Sequence, residues 1–148
     1  MIIALDTSII SIVTNPKSSP NSFACTAWLK TKLADGDALF VPEICGYEIR
    51  RELIRAKKLP GLARLDALKN SLNYLPITTK AMQKAAELWA IARQKGTPTA
   101  PDLSLDGDII LSAQIFILKQ SSGENAIIAT TNVKHLSLFA DAREWRNI

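Results

Sequence analysis

Short apolar runs alternate along the chain with longer segments in which apolar residues recur at helical spacing. Uninterrupted apolar runs at residues 2–5, 38–41 and 126–129 are typical of strands that are covered on both faces. Residues 75–77 predict a shorter strand, and residues 143–148 predict a last strand at the edge of the sheet. The pattern therefore predicts a sheet whose central members are fully buried.

Helical spacing fills most of the chain between these runs. The predicted helices cover residues 22–34, 43–58, 61–73, 79–95, 106–119 and 134–139, and another begins near Ile9. In the first of them we expect Phe23, Ala27 and Leu33 to face inward. Apolar side chains surround the helix at 106–119 almost completely, which predicts a central, buried helix. Residues 15–21 and 97–104 contain proline and are predicted to be loops.

Strands that alternate with helices predict a mainly parallel sheet with helices on both of its faces. We expect a three-layer α/β/α sandwich with a central sheet of four to five strands, forming a single domain over residues 1–148. Such sheets place their sites beyond the carboxyl ends of the strands. Two predicted strand ends carry short polar side chains, at Asp6-Thr7-Ser8 and at Thr130-Thr131-Asn132.

Composition limits the chemistry available to such a site. The chain has two cysteines, Cys25 and Cys45, and one histidine, His135. These counts exclude a disulfide scaffold, a four-thiolate zinc site and any metal site built from several imidazoles. A metal site would have to be built from carboxylates, and we expect both cysteines to be free core thiols and His135 to be a partly exposed packing residue rather than a base.

No stretch approaches the roughly 18 consecutive apolar residues that span a bilayer. The first apolar run lacks a basic leader and is interrupted by Asp6, so it is a poor signal peptide. We therefore expect a cytoplasmic protein with no membrane partner.

The net charge of +4 is concentrated in one stretch. Residues 46–69 contain seven Lys and Arg against three Asp and Glu. A local basic cluster suits a phosphate backbone, whereas the plainer interpretation is a solvated helix face. Charge alone leaves both open.

Three acidic residues, Asp6, Glu48 and Asp108, are predicted to project from element ends or edges beside the core. Two of them have a plainer role: Asp6 as a helix N-cap, and Glu48 as a surface partner of a nearby arginine on its own helix. For Asp106 the N-cap role is the better interpretation, which leaves Asp108 in the first helical turn without that role. Oxygen-only ligands select hard cations such as Mg²⁺ or Mn²⁺, whose use here would be phosphodiester hydrolysis.

Four segments in this order resemble the PIN-domain ribonucleases, and most closely the VapC-type toxins of bacterial toxin–antitoxin pairs. The segments are Ile3-Ala4-Leu5-Asp6-Thr7-Ser8, Val41-Pro42-Glu43-Ile44 leading to Tyr47-Glu48-Ile49-Arg50-Arg51-Glu52-Leu53, Asp108-Ile109-Ile110-Leu111-Ser112-Ala113, and Ile128-Ala129-Thr130-Thr131-Asn132-Val133-Lys134-His135-Leu136. Each is weak by itself, but the four together are fairly specific and extend over essentially the whole chain.

The resemblance implies a Mg²⁺- or Mn²⁺-dependent endoribonuclease that leaves a 3′-hydroxyl and a 5′-phosphate. It also implies a cognate small antitoxin protein as partner and a homodimer. The family's acidic catalytic and metal-binding positions fall on Asp6, Glu48 and Asp108. A fourth position, Asp in many members, is Asn132 here, which brings an oxygen but no charge and so weakens a second metal position.

Asp106 and Ser8 are further candidates near the metal, Asp106 to compensate for the missing acid and Ser8 to hold a metal-bound water. Arg51 and Arg55 are candidates to contact RNA phosphate or an antitoxin peptide.

Two other functional classes compete with the nuclease. Phosphoaspartate hydrolases also carry an Asp after the first strand, but they need a second Asp two residues later, where this chain has Ser8. A non-catalytic PIN-like module that binds RNA or protein stays open because of Asn132. Retention of all three acids favours the enzyme.

Overall fold

The structure is a computed structural model that describes residues 1–98, 100–101 and 106–148. The strands are β1 (Ile2–Leu5), β2 (Ala38–Pro42), β3 (Asn73–Leu75), β4 (Ala126–Thr130) and β5 (Ala142–Glu144). The helices are α1 (Thr7–Thr14), α2 (Pro20–Ala34), α3 (Glu43–Arg55), α4 (Leu59–Ser71), α5 (Thr79–Gln94), α6 (Gly107–Ser122) and α7 (Val133–Leu136). The predicted loop at 97–104 lies partly outside the described residues.

The strands of the described part form one sheet in the order β3-β2-β1-β4-β5, and every neighbouring pair is parallel. All residues of β1 and β4 are buried, as expected for central strands with helices on both faces. The predicted α/β/α sandwich with a parallel sheet is therefore confirmed.

The sheet has a reversal of strand order beside β1. The chain leaves β1 toward β2 and β3 on one side, and later returns to place β4 on the other side. Leu5 of β1 pairs in register with Ala129 of β4, so the residues that follow both strands emerge side by side. Ligand sites of open parallel sheets lie at such a reversal, beyond the carboxyl ends of the strands.

The inward face of α2 differs from the prediction. Cys25 and Leu29 are buried, whereas Phe23 is 68% exposed and Leu33 47% exposed. Ala27, also expected inside, is exposed. Apolar residues lie on all sides of this helix, so their spacing does not select one face.

Several predicted boundaries also shift. Helix α3 ends at Arg55 rather than at residue 58, and β3 lies two residues earlier than predicted. The last strand ends at Glu144, after which Trp145–Asn147 form a 3₁₀ turn.

Among the described helices, α6 has the most buried residues. Every residue from Ile109 to Ile115 is buried, as the pattern predicted, but Phe116 is 43% exposed. Both cysteines are free and buried, as expected. None of the described helices combines the length and apolar character needed to cross a membrane.

Candidate active site

Asp6 lies where β1 ends and α1 begins. Its carboxylate, with those of Glu48 and Asp108, defines the acidic cleft, and Asp6 accepts the most hydrogen bonds of the three. Its Oδ1 accepts from the Thr7 backbone N–H at 2.7 Å. Its Oδ2 accepts from the hydroxyls of Ser8 at 3.0 Å and Thr130 at 2.7 Å. The N-cap interpretation is thus correct but incomplete, because the same carboxylate also connects the ends of β1 and β4.

Glu48 lies in the middle of α3 and is half-buried, at the edge of the helix's core face as predicted. Its Oε1 accepts from the Thr7 hydroxyl at 3.2 Å, so Thr7 joins Glu48 to Asp6. Arg55 instead forms an ion pair with Glu52 at 2.8 Å. The carboxylate of Glu48 therefore faces α1 and the end of β1 rather than Arg55.

Glycine at position 107 provides the space in which Glu48 lies. A Cβ built at Gly107 would come within 2.9 Å of both carboxylate oxygens of Glu48. The first residue of α6 therefore lies directly against Glu48, and a side chain there would displace the carboxylate.

Asp108 lies in the first turn of α6, with its side chain 41% exposed. Its Oδ2 is 3.8 Å from Nδ1 of His135, whose side chain is 47% exposed. His135 is therefore partly exposed, as the sequence indicated, and its imidazole faces Asp108. The buried Asp106 accepts from the Ile109 backbone N–H at 3.2 Å, which confirms its role as the N-cap of α6.

The end of β4 supplies polar groups that hold this edge of the sheet together. Thr130 is fully buried, and its hydroxyl accepts from the Asn132 backbone N–H at 2.9 Å while donating to Asp6. The Ser8 hydroxyl accepts from the Thr131 backbone N–H at 3.1 Å. Ser8 therefore orients Asp6, and exposed Asn132 stands at the start of α7.

The electrostatics of the acids are coupled. Burial raises the pKa of Glu48, and the charges of Asp108 and Asp6 raise it further, against the Thr7 hydrogen bond and the Arg51 charge that lower it. Burial also raises the pKa of Asp108, as do Asp6 and Asp106, whereas His135 lowers it. Carboxylates from β1, α3 and α6 thus repel one another across one cleft.

The raised pKa of Glu48, caused first by burial and then by the charges of Asp108 and Asp6, predicts that Glu48→Gln stabilises the protein when no divalent cation is present. Because folding raises the pKa of Glu48, the ionised carboxylate is less favourable in the folded protein than in the unfolded chain. The contribution of Glu48 to the free energy of unfolding is therefore lost as pH rises through the raised pKa. We expect a higher midpoint of thermal unfolding for Glu48→Gln than for wild type near pH 7 in EDTA. The difference should shrink as pH falls toward the ordinary glutamate pKa.

The matched control is Glu124→Gln, because Glu124 is exposed at the opposite end of the sheet, just before β4. Glu124→Gln should leave the midpoint close to that of wild type at both pH values. A midpoint for Glu48→Gln below that of wild type at neutral pH would contradict a destabilising effect of the ionised, half-buried Glu48.

The acids provide oxygen donors, which suit a hard divalent cation rather than the nitrogen and sulfur ligands common for zinc. Within residues 1–98, 100–101 and 106–148, no three Asp, Glu, Cys or His side chains are close enough to form a ready-made metal-binding group. Mg²⁺ does not need one, since it usually binds through one or two carboxylates and keeps several waters. The donor set fits such a water-rich ion, with Asp6, Glu48 and Asp108 as its candidate ligands.

The two predicted phosphate contacts differ in their surroundings. The guanidinium of Arg51 lies 5.2 Å from the centroid of the Tyr47 ring and acts electrostatically on Glu48. Arg55, one turn further along α3, is 73% exposed and is held by Glu52. Of the two, Arg51 is the one beside the cleft.

Sequence reasoning missed the residues that connect the acids. Thr7 and Thr130 were visible only as polar residues at strand ends, and their hydrogen bonds depend on the pairing of β1 with β4. Tyr47 was visible only as part of a motif. Its position four residues before Arg51 was a usable signal, because such neighbours meet on a helix surface.

A cavity of about 470 Å³ lies away from the acids and is lined by residues of α1, α3 and α4, among them Ile49, Leu53 and Pro60. None of its lining residues is acidic. Cavity size therefore does not identify the site, which is identified by the convergence of carboxylates at the strand ends.

Comparison with known families gives one match, which covers most of the chain. The family model described as the PIN domain matches residues 3–134. Among curated proteins none matches the chain.

Solved structures of similar fold include toxin–antitoxin complexes. A chain in VapBC2 from Rickettsia felis, bound to a promoter DNA fragment, matches with a TM-score of 0.77 and 18% identity, covering 98% of this chain and 99% of that one. A chain in VapBC-1 from nontypeable Haemophilus influenzae matches with a TM-score of 0.72 and 16% identity, covering 99% of both. A chain in DNA-bound VapBC from Salmonella typhimurium gives 0.62 and 19%, covering 98% of both. At these identities the similarity establishes the fold.

Proposed function

Because the chain belongs to the PIN-domain family, we propose that it is a Mg²⁺- or Mn²⁺-dependent endoribonuclease that hydrolyses RNA phosphodiester bonds. The observation that carries this proposal is the contact of Glu48 both with Thr7, which also bonds Asp6, and with Gly107, which precedes Asp108, at the reversal of strand order. A binding module would gain nothing from repelling carboxylates that destabilise its fold.

Asp6, Glu48 and Asp108 would hold the cation. When bound, it would polarise a phosphoryl oxygen and lower the pKa of a water for attack on phosphorus. The chain's part is to fix the acids: Thr130, Ser8 and the Thr7 backbone direct Asp6, and the Thr7 hydroxyl directs Glu48. Such outer contacts typically change metal affinity or activity by about 10–100-fold.

Positive charge beside the cleft supports a polyanionic substrate. Arg51 lies next to Glu48 and offers a cation to a backbone phosphate, while the acids are neutralised by the metal. Hydrolysis in this proposal leaves a 3′-hydroxyl and a 5′-phosphate. Asn132, at the fourth position, supplies an oxygen without charge, so the simplest arrangement is one cation bound directly by one or two of the three acids and through its waters by the rest.

The experiment that tests this function is cleavage of RNA by the purified chain with Mg²⁺ or Mn²⁺, compared with the same protein in EDTA. We expect cleavage only with the cation and its return when excess cation is restored. Cleavage that proceeds equally in EDTA would exclude the metal-dependent mechanism.

We further propose that the chain is the toxin of a toxin–antitoxin pair, acts in the cytoplasm, forms a homodimer and is inhibited by a small cognate antitoxin. The similar folds in VapBC complexes support this proposal. A small reading frame directly upstream, whose product co-purifies with the chain and suppresses cleavage, is the expected finding. Sedimentation measures the dimer separately.

A second candidate is a non-catalytic PIN-like module that binds RNA or protein. Asn132 favours it, because a missing charge weakens metal retention. The two candidates differ in one result, since the module would bind RNA with Mn²⁺ present and leave it intact.

A further inference from the structure

Tyr47 presents an aromatic ring to solvent at the rim of the acidic cleft. Its side chain is 49% exposed on α3, one residue before Glu48. The guanidinium of Arg51 lies 5.2 Å from the ring centroid. Because Arg51 also acts on the Glu48 carboxylate, the stacked pair is continuous with the cleft.

The surface around this ring is concave and aromatic, and it carries charges of both signs. Tyr47 lines a cavity of about 180 Å³ together with Arg50, Lys69, Tyr74 and the acid Glu43. The ammonium of Lys69 lies 4.3 Å from the centroid of the Tyr74 ring. A single exposed aromatic residue needs no explanation. Here two tyrosines lie beside a candidate nuclease site, and each has a cation over its ring.

Resting on the proposed ribonuclease function, we infer that Tyr47 and Arg51 form a subsite for one unpaired nucleotide that flanks the scissile phosphate. The base of that nucleotide stacks on the Tyr47 ring, and Arg51 lies against its phosphate. Bases splayed out of a helix stack on aromatic side chains and guanidinium planes in this way. The subsite makes Tyr47 a residue that determines which RNA segments are cleaved.

The charge of this surface favours RNA over a protein partner. Arg50, Arg51 and Lys69 lie around the ring and outnumber the two acids there, Glu43 and the Asp66 that pairs with Arg50, so a polyanion is attracted to this surface. A base also has a flat face for the ring, which an acidic peptide lacks. One nucleotide thus satisfies both the ring and the charges.

The first experiment measures binding without cleavage. Short single-stranded RNAs, each with one 2-aminopurine at a different position, are titrated with the chain in EDTA. We expect fluorescence quenching at one position with wild type and with Tyr47→Phe, and its loss with Tyr47→Leu, together with a drop in affinity of about 5- to 150-fold. Equal quenching by wild type and Tyr47→Leu at every position would overturn the inference.

The second experiment measures cleavage of unpaired RNA with Mn²⁺. Tyr47→Leu and Arg51→Ala should raise KM by about 5- to 150-fold with little change in kcat, whereas Tyr47→Phe stays near wild type. Arg143→Ala is the matched control and should keep the KM of wild type, because it removes the same charge from β5 at the far edge of the sheet, where Arg143 pairs with Asp141.

The two experiments separate the inference from the function beneath it. Quenching that depends on Tyr47, with no cleavage by wild type, would reject the nuclease and retain the nucleotide subsite. Normal cleavage by Tyr47→Leu would reject the subsite and retain the nuclease. If Tyr47→Leu instead changes the sedimentation of the chain and leaves its RNA affinity unchanged, Tyr47 belongs to a contact between two copies and the inference is wrong.

Discussion

Asp108→Asn is expected to reduce RNA cleavage by at least about 100-fold while the fold stays intact. Loss of an outer contact to a metal ligand already costs about 10–100-fold, and a direct ligand should cost more. Asp108 is the cleaner choice than Asp6, because three donors converge on the Asp6 carboxylate and an amide there would oppose one of them. The measurement is the rate of cleavage at saturating Mn²⁺.

The matched control for this variant is Asp35→Asn, which makes the same chemical change at an exposed residue before β2, near the amino-terminal ends of the strands and away from the cleft. Asp35→Asn should cleave like wild type. Equal cleavage by wild type and Asp108→Asn would remove Asp108 from the site and would point to a contaminating nuclease.

Thr130→Val is expected to reduce cleavage by about 10–100-fold and also to destabilise the protein by about 1–3 kcal/mol. Valine has nearly the same shape, but it cannot donate to Asp6 Oδ2 or accept from the Asn132 N–H. Asp6 would lose one of its three donors and the Asn132 N–H its acceptor, and the new methyl group would lie at the fully buried position of Thr130. Activity and denaturant unfolding measure the two effects separately.

Thr130→Ser restores the hydroxyl and should recover most of the activity, at the cost of a small cavity. Recovery by Ser but not by Val assigns the effect to the hydrogen bonds. If Val retains full activity, then Asp6 is fixed without Thr130, and the connection between β1 and β4 has no role in the chemistry.

The sequence predicted the sheet well because its central strands are continuous apolar runs. Every residue of β1 and β4 is buried, and a continuous apolar run is typical of a strand that helices cover on both faces. Helix α2 was harder, because its apolar residues lie on all sides and only its contacts with neighbouring elements select the face with Cys25 and Leu29. Which face of α2 is buried therefore depends on tertiary packing rather than on the spacing of its apolar residues.

The acids were predicted one at a time, by their places at strand ends and helix edges. Their coupling could not be predicted without a fold, because Asp6 and Glu48 are joined through Thr7, which is 41 residues away from Glu48 in the chain. The same holds for His135, whose contact with Asp108 depends on the packing of α7 beside α6. Local pattern identifies residue types, and the topology at the β1–β4 reversal brings them together.

The most direct test of the central proposal is Mn²⁺ binding, followed by electron paramagnetic resonance, to wild type, Asp108→Asn, Glu48→Gln and Asp35→Asn. Wild type and Asp35→Asn are expected to bind the ion alike, and each of the two cleft variants should bind it at least about 10-fold more weakly. Equal Mn²⁺ affinity in all four proteins would contradict a metal site built from the cleft carboxylates.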